Sequence, residues 1–416
     1  MEVVTSTRPA ADSLSRERAL ALDREDPLAA FHDRFAFPDP ELVYLDGNSL
    51  GRLPLATVDR LREVVEHEWG ERLIRSWSEG WFDLPTRVGD LIARAALGAA
   101  PGQTVVADST TVCLYKLVCA ALDARPGRDE IVTDRDNFPT DRYVVEGIAR
   151  SRGLSVRWLE PDPVHGPSVE DVVAAVSERT AVVTLSHISY RSAAIADMAG
   201  ITACVHDAGA LMLWDLCHSA GSVPLALDSD GADLAVGCTY KFLNGGPGAP
   251  AFMYVREEHQ RSLSQPIWGW IGRRDPFLME QGYVPAEGIT AMISGTPPVL
   301  GLAAVEEGAR LVDEAGIGAI RDKARALTNF AVELHDAWLT ELGCTLASPR
   351  DPDRRGAHVS IAHPRAEELC AALIDAGVIP DFRMPNVVRL GLSPLITRFA
   401  DVWDGIDALR ALAAGG

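Results

Sequence analysis

Residues 239–250 read TYKFLNGGPGAP, and the lysine in them decides how the rest of the chain is read. Upstream, ADLAVGC (232–238) is mostly apolar, the pattern of a buried strand, so Lys241 stands just past a strand's carboxyl end. Glycine and proline crowd the residues after it, and neither strand nor helix continues through them. A cation in that position is either a surface lysine or a reactive amine backed by a loop that leaves room for a ligand.

Working outward, strand and helix patterns alternate from about residue 55 to 295, which predicts an α/β fold with a mainly parallel sheet and helices on its faces. ATVDRLREVVEHEW (56–69) reads as an amphipathic helix, DEIVTD (129–134) as a buried strand, and DRYVVEGIARSRG (141–153) as a helix closed by glycine. TAVVTLSH (180–187) is a strand, DMAGITACVHDAGA (197–210) a helix with a glycine stop, and ALMLWDL (210–216) a strand with its polar residues at the carboxyl end. In such sheets ligands bind outside the carboxyl ends of the strands. From TPPVLGLAAVEEGARLVDEAG (296–316) onward long helices dominate, with a few strands such as AHVSIAH (357–363) and NVVRLGL (386–392). The expected organisation is an N-terminal arm (1–45), a large domain (46–295), and a bridging helix with a smaller α+β domain (296–416) on which the arm packs.

Bulk properties exclude several functions. With 416 residues, 47% hydrophobic and 24% charged, the chain is long enough for two cores and is not of disordered composition. A net charge of -20 disfavours a nucleic-acid partner, because phosphate binding needs clustered Lys and Arg. No stretch approaches the roughly 18 apolar residues of a membrane span, and the charged N-terminus lacks a signal-like apolar run, so a cytoplasmic protein is expected. Seven scattered cysteines without a CxxC pair suggest neither a disulfide framework nor a metal site.

The strand ends carry the chemistry. ALMLWDLCHSAG (210–221) sets Asp215 after an apolar run with His218 three residues on. A buried carboxylate needs a cation or several donors, so Asp215 is either a core cap or an anion that holds a protonated ring nitrogen. Tyr240 and Lys241 follow at the next strand end, and a Schiff-base lysine must lose its proton near neutral pH. Asp followed one strand later by Lys is the arrangement expected of a pyridoxal phosphate site. DSTTVCLYKLV (108–118) places Thr110 and Thr111 at a helix start, where N–H groups and hydroxyls hold a phosphate or merely cap the helix. DRDNFPTDR (134–142) offers Phe138 for stacking on the ring, beside Asp141.

These segments resemble the kynureninases, fold-type-I (aminotransferase-like) pyridoxal phosphate enzymes. The resemblance runs from YLDGNSLG (44–51) through NFPTD (137–141), WDLCHSAG (214–221), GCTYKFLNGGPGAPAF (237–252), WGWIG (268–272) and SGTPPVL (294–300) to the arginine of NVVRLGLSP (386–394). It implies that Lys241 binds the aldehyde of pyridoxal 5'-phosphate, that Asp215 pairs with the ring nitrogen beside His218, and that Phe138 stacks on the ring with Asp141 near it. Thr110, Thr111, Tyr240, Trp270 and Thr296 would surround the phosphate, with Ser186 of LSHISY close to the cofactor. Trp270 and Thr296 would come from a neighbouring subunit, which implies a homodimer, and Arg389 would grip the substrate's α-carboxylate. The implied reaction is hydrolysis of L-kynurenine to anthranilate and L-alanine, with Tyr240 moving protons. Gly295 and Thr296 stand where relatives that take 3-hydroxykynurenine carry a Ser-Asn pair, so the unsubstituted substrate is expected to be preferred. Trp77 and His67 are further candidates for the aromatic pocket. Cys113 and Cys217 depart from the family's usual asparagine and alanine. A cysteine desulfurase or aminotransferase is the rival reading; Tyr240 before the lysine and the lack of an evident loop cysteine speak against the former.

Overall fold

A computed structural model describes residues 14–415. The first strand, β1 (Val43–Tyr44), is only two residues long. The seven strands of the central sheet follow: β2 (Thr104–Val106), β3 (Glu130–Asp134), β4 (Ser155–Leu159), β5 (Thr180–Ser186), β6 (Leu211–Asp215), β7 (Leu234–Gly237) and β8 (Phe252–Val255). Their spatial order is β2-β8-β7-β6-β5-β3-β4. Pairings among β3 to β7 are parallel, and β8 runs antiparallel to both of its neighbours. Strands β6 and β7 are buried along their whole length, which explains their nearly continuous apolar sequences, and β3 is buried as well although it carries Glu130, Thr133 and Asp134.

The crossover helices sit where the sequence places them, at Thr110–Asp123, Pro139–Arg152 and Met198–Asp207. Gly153, with φ +69°, closes the second of these in the left-handed region that favours glycine. The helix expected over 56–69 differs: it is α-helical only over Leu55–Glu63 and continues over Val64–Arg72 in wider, π-type turns. Of those nine residues only Val64 is buried, while Val65 and Trp69 are exposed, so no packed face holds the tighter winding.

The C-terminal sheet contains β9 (Thr345–Leu346), β10 (His358–Ala362), β12 (Asp381–Arg383) and β13 (Val387–Gly391) in the antiparallel order β12-β13-β10-β9. The short β11 (Val378–Ile379) instead pairs in parallel with β1, tying residues 43–44 to this region. Helices Ile317–Trp338 and Ala366–Asp375 pack on the sheet, and across both of them lies helix Phe399–Ala414. Helix Arg16–Glu25 packs on the latter: Arg16 forks onto Asp404 at 2.7 and 2.9 Å, and Asp23 accepts from the backbone N–H groups of Phe399 and Ala400. The first thirteen residues of the expected arm lie outside the described residues. Among the described residues no helix is long and apolar enough to cross a membrane.

Candidate active site

Because the sheet is parallel here, loops far apart in sequence meet at one edge. Asp215 ends β6, Ser186 ends β5, the NFPTD turn follows β3 and the lysine loop follows β7. One cavity is lined by Thr110, Thr111, Phe138, Asp141, Ser186, Asp215, His218, Tyr240 and Lys241, nine of the residues read from the sequence, together with Thr140, Tyr190 and Cys217. Wider grooves lie elsewhere, such as one between residues 257–265 and 283–291, but no lysine lines it, and the chemistry selects the tighter cavity.

Lys241 is buried, and its Nζ lies 3.1 Å from His218 Nε2 and 5.8 Å from the centre of the Phe138 ring. With the amine donating, His218 carries its own proton on Nδ1, and that buried atom has no partner. Burial and the positive charge of Lys241 push the His218 imidazole well below its usual range, so it stays neutral. Asp215 Oδ1 accepts from the Cys217 N–H at 2.7 Å. The Ser186 hydroxyl lies 2.8 Å from Asn137 Oδ1 and 3.3 Å from Asp215 Oδ2. Its single proton serves the nearer oxygen, which leaves Asp215 Oδ2 facing the cavity. Beside it, burial and the Asp215 charge drive the Asp141 carboxyl well up, and its buried Oδ2 has no partner. Tyr240 is likewise driven upward by burial, so its phenol keeps its proton.

Thr110 and Thr111 open the helix Thr110–Asp123, with Ser109 as the cap that accepts from Val112 N–H at 3.4 Å. The helix start and its hydroxyls thus point free donors and a positive dipole end at the cavity. An aldehyde-bearing pyridine with a phosphate fits these residues: an amine, an aromatic face, a carboxylate oxygen short of a donor, and a helix start.

The structure does not bring all the named residues together. Trp270 packs against Phe82 and Phe277 at ring distances of 6.2 and 6.1 Å, and Thr296 lines a separate cleft with Asp108, Ser109 and Gly248. Trp77 sits against Trp81 and Phe82, and His67 is exposed beside Glu71. Arg389 is no edge-strand surface residue, since β13 lies inside its sheet and the side chain is buried. It donates to the Tyr190 carbonyl at 2.7 Å and Ser49 Oγ at 2.8 Å and pairs with Asp381. Asn48, its amide oriented to suit both neighbours, accepts from Arg389 Nε at 3.1 Å and donates to Asp46. Burial, with Arg383 adding to it, pushes the Arg389 guanidinium down to about 10.

The glycines after Lys241 have a different cause from clearing the cofactor. Gly246 and Gly248 take φ of +86° and +72°, and a Cβ on Gly245 would strike Val305 of the helix Val299–Ala315 at 2.8 Å. The glycine that fits against the lysine loop is Gly51, whose N–H donates to the Tyr240 carbonyl and whose added Cβ would lie 2.4 Å from the Lys241 carbonyl oxygen. Residues that sequence reading missed include Tyr190, whose ring meets Phe138 edge-on at 5.3 Å, and His358 of β10, 5.5 Å from the His218 ring. LSHISY already held Tyr190 at a strand end; nothing in AHVSIAH marked His358.

Fold and cavity together define a fold-type-I pyridoxal phosphate enzyme. Solved structures of that fold superpose over most of the chain. A cysteine desulfurase from Thermococcus onnurineus NA1 is similar with a TM-score of 0.77 at 21% identity, covering 95% of this chain and 98% of its own. A C-DES mutant with glycine covalently linked to the PLP cofactor is similar with a TM-score of 0.79 at 17% identity, covering 91% and 99%. At such identities the likeness concerns the fold alone. Sequence decides the family: a kynureninase of Burkholderia pseudomallei (strain 1106a) is 45% identical over 403 residues, 95% of each chain. A kynureninase of Pseudomonas fluorescens is 42% identical over 402 residues, 95% of this chain and 94% of that one. The family model for the kynureninase C-terminal domain matches residues 320–409. The chain belongs to the kynureninase family.

Proposed function

We propose that the chain hydrolyses L-kynurenine to anthranilate and L-alanine, a step of tryptophan catabolism by the kynurenine pathway, with pyridoxal 5'-phosphate held on Lys241. The observation that carries this reading is the convergence of Lys241, Asp215 and Phe138 on one cavity, in a chain 45% identical to a named kynureninase. When bound, the cofactor supplies an electron sink for negative charge developing on the substrate's α-carbon.

The chain's own groups do the rest. Asp215 Oδ2 would pair with the cofactor's ring nitrogen, Phe138 would face its ring, and Thr110 and Thr111 would hold its phosphate. Lys241 Nζ, as a free amine, takes the α-proton. His218 Nε2 at 3.1 Å steadies that amine, and because the imidazole stays neutral it adds no competing charge. Water adds to the substrate's keto carbon, the bond to Cβ breaks, and Cβ takes a proton from Tyr240, whose phenol recovers one from the added water, while Lys241 returns the α-proton. Arg389 orients the α-carboxylate.

The same reading makes the active unit a homodimer. Trp270 and Thr296 lie outside their own chain's cavity, and Trp69, Ile74, Trp268, Phe277 and Met279 are exposed apolar side chains that a second subunit would cover. It also divides the chain into the arm 1–45, the large domain 46–295 and the C-terminal domain 296–416. The test is to mix the chain with pyridoxal phosphate and L-kynurenine and follow anthranilate fluorescence. Release of anthranilate is expected, at higher kcat/KM than for 3-hydroxykynurenine; no release from the loaded protein contradicts the reading.

A further inference from the structure

We propose that Arg383 is a second arginine for the substrate's α-carboxylate, acting beside Arg389; the inference rests on the reading of the site as one for an α-amino acid. A guanidinium has five N–H donors, and a forked grip on a carboxylate uses two in parallel. Arg389 has four committed: Nε to Asn48, one Nη1 N–H to the Tyr190 carbonyl, and Nη2 to Ser49 and Asp381. A single Nη1 N–H is left, so Arg389 alone cannot fork a ligand while these bonds hold.

Arg383 is placed to supply the missing donors. It lies on β12, where Asp381 registers opposite Arg389 and Arg383 opposite Val387. Its side chain is 29% exposed against 1% for Arg389. Its one salt-bridge partner is Asp381, at 2.5 Å from Nη2, and its buried Nε has no partner. The guanidinium carbon sits 5.8 Å from the centre of the Tyr190 ring, which lines the cofactor cavity and abuts Phe138. Burial is the main cause that keeps the His218 and His358 imidazoles neutral, and the Arg383 charge adds to those of Lys241 and Arg389 in the same direction.

Asp381 Oδ2 is thus shared by two arginines and by the Ser49 hydroxyl at 3.3 Å. An incoming carboxylate would meet the same two cations beyond Tyr190, the cavity-lining residue that touches both. It takes the free Nη1 N–H of Arg389 and the unpaired donors of Arg383, while Asp381 keeps Arg389 extended. If Arg383 merely braced the β12–β13 turn, its loss would lower stability without discriminating ligands by their carboxylate.

The experiment compares Arg383→Gln and Arg383→Lys with the parent chain, each loaded with cofactor. Readouts are kcat and KM for L-kynurenine, inhibition by the amine that lacks the carboxylate, Tm, and L-alanine binding followed in the cofactor absorbance. Arg383→Gln should raise KM and weaken L-alanine binding by about tenfold or more, exceed any fall in kcat, and leave inhibition by the amine unchanged. Arg383→Lys should recover part of the loss, because a point charge still attracts without forking. L-Alanine affinity that stays the same in Arg383→Gln, or a parallel loss for the carboxylate-free amine, overturns the proposal. A parent chain that binds L-alanine but releases no anthranilate contradicts the activity reading instead, and the L-alanine titration still tests Arg383.

Discussion

The cavity's floor and its wall treat buried polarity in opposite ways. The floor, at the carboxyl ends of β3, β5, β6 and β7, leaves Asp141 Oδ2 and His218 Nδ1 without partners among the described residues and offers Asp215 Oδ2 the Ser186 hydroxyl at 3.3 Å. The wall, on β12 and β13 behind Tyr190 and not itself part of the cavity's lining, holds Arg389 with Asn48, Ser49, Tyr190 and Asp381. Unsatisfied buried polar groups are costly, so the floor is built for a ligand that completes it, whereas the wall holds Arg389 through the chain's own groups even with Arg383 Nε left unpaired. Loss of a floor residue should therefore remove activity without cost to the fold, and loss of a wall residue should affect both.

Three substitutions probe that contrast, in falling order of effect. Asp215→Ala should lower kcat/KM by about 10²-fold or more, since the electrostatic support of the ring is lost. In the cofactor-free protein its Tm should be unchanged or higher, because the variant relieves the crowding of Asp215 with Asp141. A large drop in cofactor-free Tm would break the comparison. Arg389→Lys should raise KM by roughly tenfold and also lower stability by about 1–3 kcal/mol, as the Tyr190 carbonyl and Asn48 lose their donors; a denaturant midpoint and steady-state kinetics read both.

The smallest effect is on pH dependence. Burial pushes Asp134, at the end of β3, up from 3.8 to about 7. Between those values the folded chain keeps a proton that the unfolded chain has lost, so this group's contribution is full below 3.8 and declines as pH rises toward 7. Asp134→Asn should flatten that decline in Tm across the same window. An unchanged slope would show that Asp134 does not carry it.

Floor and wall also differ in how far they were legible in the sequence. Period and strand-end logic reach Asp215 and Lys241 directly, since each follows an apolar strand within a few positions, while Ser186 comes from the family resemblance. The wall's partners come from segments more than 300 residues apart, Asn48 and Ser49 on one side and Asp381, Arg383 and Arg389 on the other, and only the fold joins them. Arg389 was reached by resemblance, and its neighbours were not reached at all. Trp270 and Thr296, which also come from the resemblance, lie outside the cavity in the chain itself. The widened turns of Val64–Arg72 escaped because apolar spacing does not say whether a face is covered.

The most direct test concerns Lys241. Reconstituted with pyridoxal phosphate, the parent chain should show the visible absorbance of a protein-bound cofactor and release anthranilate when L-kynurenine is added. Lys241→Ala should lose both, with a Tm in the cofactor-free state no lower than the parent's, because among the described residues the amine's one hydrogen-bond partner is His218. A Lys241→Ala protein that keeps the absorbance and still releases anthranilate would contradict the account.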